Sequence, residues 1–255
     1  MANIENLLVE AASDGEVSRH TTALLTDAAT LTQIKKGDGV SASEYRESEA
    51  LIVTLLVDDS GSIFDRGNDG AVRDGFNAII EALKGTKQRG RILMSCRYLN
   101  GTVLCPYEYL EKAPLMSDRN FRNGGGTPLY DQTLVTIGSV MAKAKEFDDA
   151  GINHRTWTLV ISDGADEHSR RVRAADVAEL IKTLNSEVHV VLAIGVSDGK
   201  TDFRQVFCQM GIKEDKIMVS TDDPKAIRAT FRLASQSAVA MNQPNPAGGL
   251  GGFGG

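Results

Sequence analysis

The chain has 255 residues, 42% of them hydrophobic and 24% charged, with a formal net charge of -6. That length supports one sizeable core, and the negative balance disfavours nonspecific binding to nucleic acid or an anionic membrane, both of which reward positive charge. No run approaches the roughly 18–20 uninterrupted apolar residues of a membrane-spanning helix, and the start, Met1-Ala-Asn-Ile-Glu-Asn, lacks the features of a signal peptide, so a cytoplasmic location is expected.

Residues 1–48 form a separate segment. Within 18–36, Leu24, Leu25, Ala28, Leu31 and Ile34 have a helix-like spacing closed by Gly37 and Gly39, which predicts either a helix appended to the main domain or a partly ordered arm. A main domain is expected over 49–241. Its first strand is 51–57, followed by a helix over 68–83 and a hairpin of 91–99 and 102–109 turning on Asn100-Gly101. Further helices are predicted at 127–147, 172–184, 202–210 and 224–239, and strands at 157–162, 188–194 and 216–219. Strands alternating with helices predict an α/β fold: a doubly wound, mostly parallel six-stranded sheet flanked by helices, with one antiparallel edge strand from the hairpin. We take the strand order to be 321456. The remainder, 242–255, is too glycine-rich to fold alone and is expected to be flexible. Cys96, Cys105 and Cys208 have no metal-ligand spacing; the first two could face each other across the hairpin, with apolar packing the expected role.

Ligands of open α/β sheets bind beyond the carboxyl ends of the strands. Three pieces of this sequence place oxygen ligands there. The first strand ends in Asp58-Asp59-Ser60-Gly61-Ser62, an Asp-x-Ser-x-Ser cluster. A glycine-rich run leads to Thr127-Pro128 at a predicted helix start, and Asp163-Gly164 follows another buried strand. A hard cation such as Mg²⁺ takes about six oxygens at roughly 2.1 Å. Neutral hydroxyls leave it electrophilic, and two carboxylates balance its charge.

On these three ordered pieces the chain resembles the von Willebrand factor A (VWA) domain family, and the match is to its metal-ion-dependent adhesion site (MIDAS). The wording Gly-Gly-Thr-Pro-Leu-Tyr-Asp is similar to the bacterial intracellular branch. The resemblance covers about residues 50–240 and implies a VWA/Rossmann-like fold with an intact metal site. It implies that Ser60, Ser62 and Thr127 offer hydroxyls to Mg²⁺ (or Mn²⁺ or Ca²⁺), with Asp58 and Asp163 bound directly or through water. It implies also that a protein partner's Asp or Glu completes the shell. The expected role is therefore a cation-dependent adaptor or scaffold, not an enzyme. AAA+ ATPases or operon-encoded proteins are the partners the resemblance suggests, and homo-oligomers remain a further partner class.

Asp59 is expected to face solvent or stand behind the ligands, since alternate positions share a direction. Phe64, Asp166 and His168 are candidates for a partner-binding rim; Phe64 could equally pack under its loop. Two other readings stay open: self-assembly through the N-terminal segment or glycine-rich tail, and a metal-dependent phosphatase. Against the phosphatase, Ser60 stands where a dehalogenase-type enzyme has its second aspartate.

Overall fold

The computed structural model describes residues 3–243. Three helices come first: α1 (Ile4–Asp14), α2 (Arg19–Thr26) and α3 (Ala28–Lys36). Then follow β1 (Glu49–Val57), α4 (Gly61–Asp65), α5 (Asp69–Lys84), the hairpin β2 (Ile92–Tyr98) and β3 (Val103–Tyr109), α6 (Leu129–Asp149) and β4 (Asn153–Ser162). The chain closes with α7 (Ala174–Thr183), β5 (His189–Val196), α8 (Phe203–Gln209), β6 (Ile217–Ser220) and α9 (Pro224–Met241). Among the described residues six strands form one sheet in the order β3-β2-β1-β4-β5-β6, which is 321456, and only β3 runs antiparallel to its neighbour. No helix of the described residues is long and apolar enough to cross a membrane.

β1 lies at the centre because both its faces are apolar. Leu51, Val53, Leu55 and Val57 pack on one side with Val72, Phe76 and Ile79 of α5 and with Phe231 and Ala234 of α9. Leu56 points the other way, into a cluster with Leu134, Ile137 and Met141 of α6 and Val177 and Leu180 of α7. A strand covered on both faces reads as a continuous apolar run, which is what made β1 and β5 visible in the sequence. β4 begins four residues before the predicted 157, at Asn153, because its polar start pairs with Glu49 and the residues after it. Trp157 is fully buried, and its indole N–H donates to Ser237 Oγ at 3.2 Å.

The N-terminal segment differs from the single helix expected over 18–36. It breaks at Asp27, whose backbone is extended and whose carboxylate accepts from the N–H groups of Ala29 and Thr30 at 2.9 and 3.4 Å. An N-cap competes with helix continuation, and here the cap prevails. α1 was not expected at all. The three helices bury Leu7, Leu8, Leu25, Leu31 and Ile34 against α6, so the segment is a packed layer. The linker after it lies along the sheet edge, with Val40 N–H donating to Tyr107 O at 2.7 Å and Tyr107 N–H donating to Gly37 O at 3.0 Å.

Cys96 and Cys105 face each other in the β2/β3 register as buried free thiols, and burial pushes Cys105 up to about 11. Asn242 is buried too, between Arg91 Nε and Thr86 Oγ1. The glycine-rich stretch from 244 onward lies outside the described residues.

Candidate metal centre

The parallel ladder between β1 and β4 puts their carboxyl ends side by side, Val57 opposite Ile161, with Asp58 N–H still donating to Ile161 O at 3.1 Å. Asp58 and Asp163 therefore leave the sheet together. Beyond β1 the chain turns into α4, where Ser60 holds the N-cap position without making a side-chain cap bond. Its hydroxyl is thus free to point across the gap, where Ser60 Oγ donates to Asp163 Oδ1 at 3.2 Å. Ser62 Oγ donates to the same oxygen at 2.7 Å, and the two hydroxyls are 3.1 Å apart. Three candidate ligands thus meet at one point.

Asp58 organises them. Its Oδ1 accepts from Ser60 N–H at 2.8 Å, while Oδ2 accepts from Ser162 Oγ at 2.8 Å and Asp163 N–H at 3.2 Å. Thr127 arrives on the third loop. Ser60 forms a bridge with Gly125, in which Gly61 N–H donates to Gly125 O at 2.9 Å, and Thr127 follows two residues later, buried. Gly124 N–H donates to Asp59 O at 2.7 Å. Two glycines of this loop sit where a side chain would collide: a Cβ on Gly124 would lie 2.0 Å from Asp59 Oδ2, and one on Gly126 would lie 2.6 Å from the His168 ring. Gly124→Ala is accordingly expected to displace the loop and weaken divalent-ion affinity by about tenfold, a cost of ~1.4 kcal/mol. Mn²⁺ titration of the variant checks this.

Asp59 does not face solvent. It is fully buried; its Oδ1 accepts from Asn100 N–H at 3.1 Å and its Oδ2 has no hydrogen-bond partner. Burial, aided by the nearby Asp58 charge, raises its carboxyl to about 7. The residue ties the β1 loop to the hairpin turn.

The three rim candidates have different surroundings. Phe64 is half-buried, its ring centroid 5.2 Å from that of Phe121. Asp166 turns inward: its Oδ1 accepts from Tyr130 N–H at 3.1 Å, at the start of α6, and from Ser169 Oγ at 2.5 Å. His168 is exposed, and its Nδ1 accepts from Thr127 N–H at 3.0 Å. Thr127 O in turn accepts from the N–H groups of Glu167 and His168. Residues 166–168 thereby hold the Thr127 loop against the Asp163 loop. Asp131 strengthens the same joint, accepting from the N–H groups of Arg170, Arg171 and Val172 at 3.1, 3.4 and 3.0 Å. Ser162, Asn100 and Asp131 were not anticipated in these roles, although Ser162 stands beside Asp163 at a strand end, Asn100 opens the hairpin turn and Asp131 closes the Gly-Gly-Thr-Pro-Leu-Tyr-Asp run.

The donor set suits a hard cation. Asp163 is buried, and its Oδ2 has no hydrogen-bond partner. Burial first, then the Asp58 charge, raises its carboxyl to about 6 against the opposing bonds from Ser62 and Ser60. A desolvated carboxylate with a free oxygen, beside two hydroxyls, is chemistry that a bound dication would satisfy. Among the described residues no group of three or more His, Cys, Asp or Glu could hold a metal ion, so a cation here would depend on the hydroxyl oxygens.

No family model and no curated protein matches this chain. Solved structures do share its fold. A structure of proximal thread matrix protein 1 from the mussel byssus aligns with a TM-score of 0.51 at 15% identity, covering 74% of this chain and 47% of that one. Another, with a zinc-occupied MIDAS motif, aligns at 0.50 with 15% identity over 73% of this chain and 47% of that one. The pilus adhesin SpaC from Lactobacillus rhamnosus GG, in its open conformation, aligns at 0.53 with 14% identity over 80% of this chain and 31% of that one. The chain thus spans about half the length of the mussel protein structures and about a third of the adhesin. At these identities the likeness is one of fold, and that fold is the doubly wound, VWA/Rossmann-like sheet in the order 321456.

Proposed function

We propose that this chain is a divalent-cation-dependent protein-interaction module whose MIDAS captures an acidic side chain of a partner. The observation that carries the reading is the convergence of Ser60 Oγ and Ser62 Oγ on Asp163 Oδ1, while the other oxygen of Asp163 lacks a hydrogen bond. Ser60, Ser62, Thr127 and Asp163 would hold the cation, with Asp58 acting behind them because both its oxygens already accept hydrogen bonds. When bound, Mg²⁺ (or Mn²⁺ or Ca²⁺) supplies an electropositive centre able to take a further oxygen ligand. The zinc-occupied MIDAS of the mussel protein supports a divalent ion in this fold.

A chain of net charge -6 repels an acidic partner, and a bridging dication offsets that repulsion locally. The reading as a binding module, not an enzyme, is supported by how the candidate acid-base groups are employed. Asp58 and His168 Nδ1 accept structural hydrogen bonds, and Asp166 holds the start of α6. We place the protein in the cytoplasm, in the bacterial intracellular type, on the wording of the Thr127 motif.

Calorimetric titration with Mg²⁺ and Mn²⁺ tests the site. We expect saturable binding that Ser60→Ala and Thr127→Ala each weaken at least tenfold. Partner capture should be reversed by chelator and lost in the same variants. Absence of divalent binding in the parent chain, or capture indifferent to both chelator and substitution, would overturn the reading.

A further inference from the structure

The site contains three buried carboxylates, Asp58, Asp59 and Asp163, and among the described residues only one cationic nitrogen lies within 4 Å of any of them. It is Arg66 Nη1, 3.8 Å from Asp163 Oδ2. That oxygen is the one without a hydrogen-bond partner, and 3.8 Å is too long for Arg66 to provide one. The contact is therefore Coulombic and leaves the oxygen available. Against burial, hydrogen bonds from Thr201 and Lys200 hold the Asp198 carboxyl, beyond β5, below its ordinary value, and the Arg66 charge adds to them.

The backbone of Arg66 is well fixed. It ends α4, the same short helix that begins with the Ser60 turn, and its N–H donates to Ser62 O at 3.2 Å. Gly67 and Asn68 continue the turn by donating to Phe64 O and Ile63 O. The side chain, in contrast, is 31% exposed and stands on a long flexible stem beside Asp163. A positive charge so placed partly neutralises Asp163 when no metal is present, and repels a dication as it enters.

We infer that Arg66 is an internal counter-cation of Asp163 that competes with the divalent ion, so that this side chain sets how much free cation the site needs. The inference rests on the metal-site reading above and assigns to Arg66 the tuning of affinity, not ligation.

The test is calorimetric titration of the full chain with Mn²⁺, comparing the parent with Arg66→Gln, Arg66→Lys and Ser60→Ala, each checked for folding by circular dichroism. Loss of the competing charge should tighten Mn²⁺ binding in Arg66→Gln by about fivefold, the scale of a partly screened ion pair. Arg66→Lys, which keeps the charge, should stay closer to the parent than Arg66→Gln does. Parent binding that depends on Ser60 but is equal or weaker in Arg66→Gln would overturn the inference and leave the metal site intact. An increase of the same size in Arg66→Lys would also overturn it, since packing and not charge would then be responsible. If the parent shows no Ser60-dependent binding, the metal-site reading fails and this inference with it.

Discussion

Asp163→Asn is expected to make the cation-free protein more stable at pH 7, by about 1–2 kcal/mol, while reducing divalent-ion binding at least a hundredfold. The two effects have one cause. Asp163 is buried beside Asp58, and its carboxyl rises from 3.8 to about 6 on folding. A group whose pKa is higher in the folded state stabilises that state when protonated. Its contribution is complete below the unfolded value and disappears as the pH climbs through the folded one. For the parent without metal, Asp163 should therefore lower stability between about pH 4 and pH 6, and Asp59, raised to about 7, should do so up to about pH 7. Both are opposed over about pH 4–6.5 by His189, whose imidazole is pushed down to about 4 by burial. Asn keeps the shape and removes the ionisation, which flattens the first part of that curve. Added Mg²⁺ should restore parent stability at pH 7 and leave the variant unchanged. Urea unfolding at several pH values, with and without Mg²⁺, reads both effects. A stability difference between parent and variant that does not widen from pH 4 to pH 6 would contradict this account.

The second large effect concerns Lys143, which is 1% exposed in the middle of α6. Its ammonium lies 2.8 Å from Asp38 Oδ1, 2.7 Å from Glu146 Oε2 and 3.0 Å from Val40 O, with the Tyr107 ring centroid at 5.5 Å. All three donor directions are occupied, so the buried charge is fully matched. Removing one partner of such a cluster leaves the others uncompensated, and Lys143→Ala is expected to cost about 3 kcal/mol. Glu146 is nearly buried, which puts most of that cost on its stranded carboxylate. Lys143→Met, which retains the apolar stem, separates loss of packing from loss of charge. The linker between α3 and β1 should also become a site of proteolysis, because Lys143 holds it at Asp38 and Val40. A loss under about 1 kcal/mol in urea unfolding would show the cluster to be energetically neutral.

Much of this architecture was legible because buried parallel strands are apolar throughout. Residues 51–57 and 188–194 announce themselves, and the Asn100-Gly101 turn marks the hairpin. The first turns of β4 were not legible: Asn153-His-Arg-Thr is polar, and its strand conformation comes from pairing with β1. The break at Asp27 could have been read, since Asp is a strong N-cap residue; so could α1, with Ile4, Leu7 and Leu8 at helical spacing. The candidate metal ligands could be proposed from the sequence because Asp58 and Asp163 directly follow strands and Ser60 precedes a helix, in an order that resembles the VWA motif. The contacts of Asn100, Asp131 and Arg66 were not legible, although Asn100 stood in the turn signal and Asp131 closed the Gly-Gly-Thr-Pro-Leu-Tyr-Asp run: each acts across a gap between loops distant in sequence.

The short run from Gly37 to Val40 has a bearing on assembly. By hydrogen-bonding to Tyr107 at both ends, it covers the outer side of β3 at that residue. An uncovered margin of this kind can template a neighbouring molecule's backbone. Here that margin is interrupted at Tyr107, and the opposite one, β6, offers just four residues, Ile217–Ser220. Fibre-like growth by ribbon-to-ribbon addition is therefore hindered at one border and poorly supported at the other.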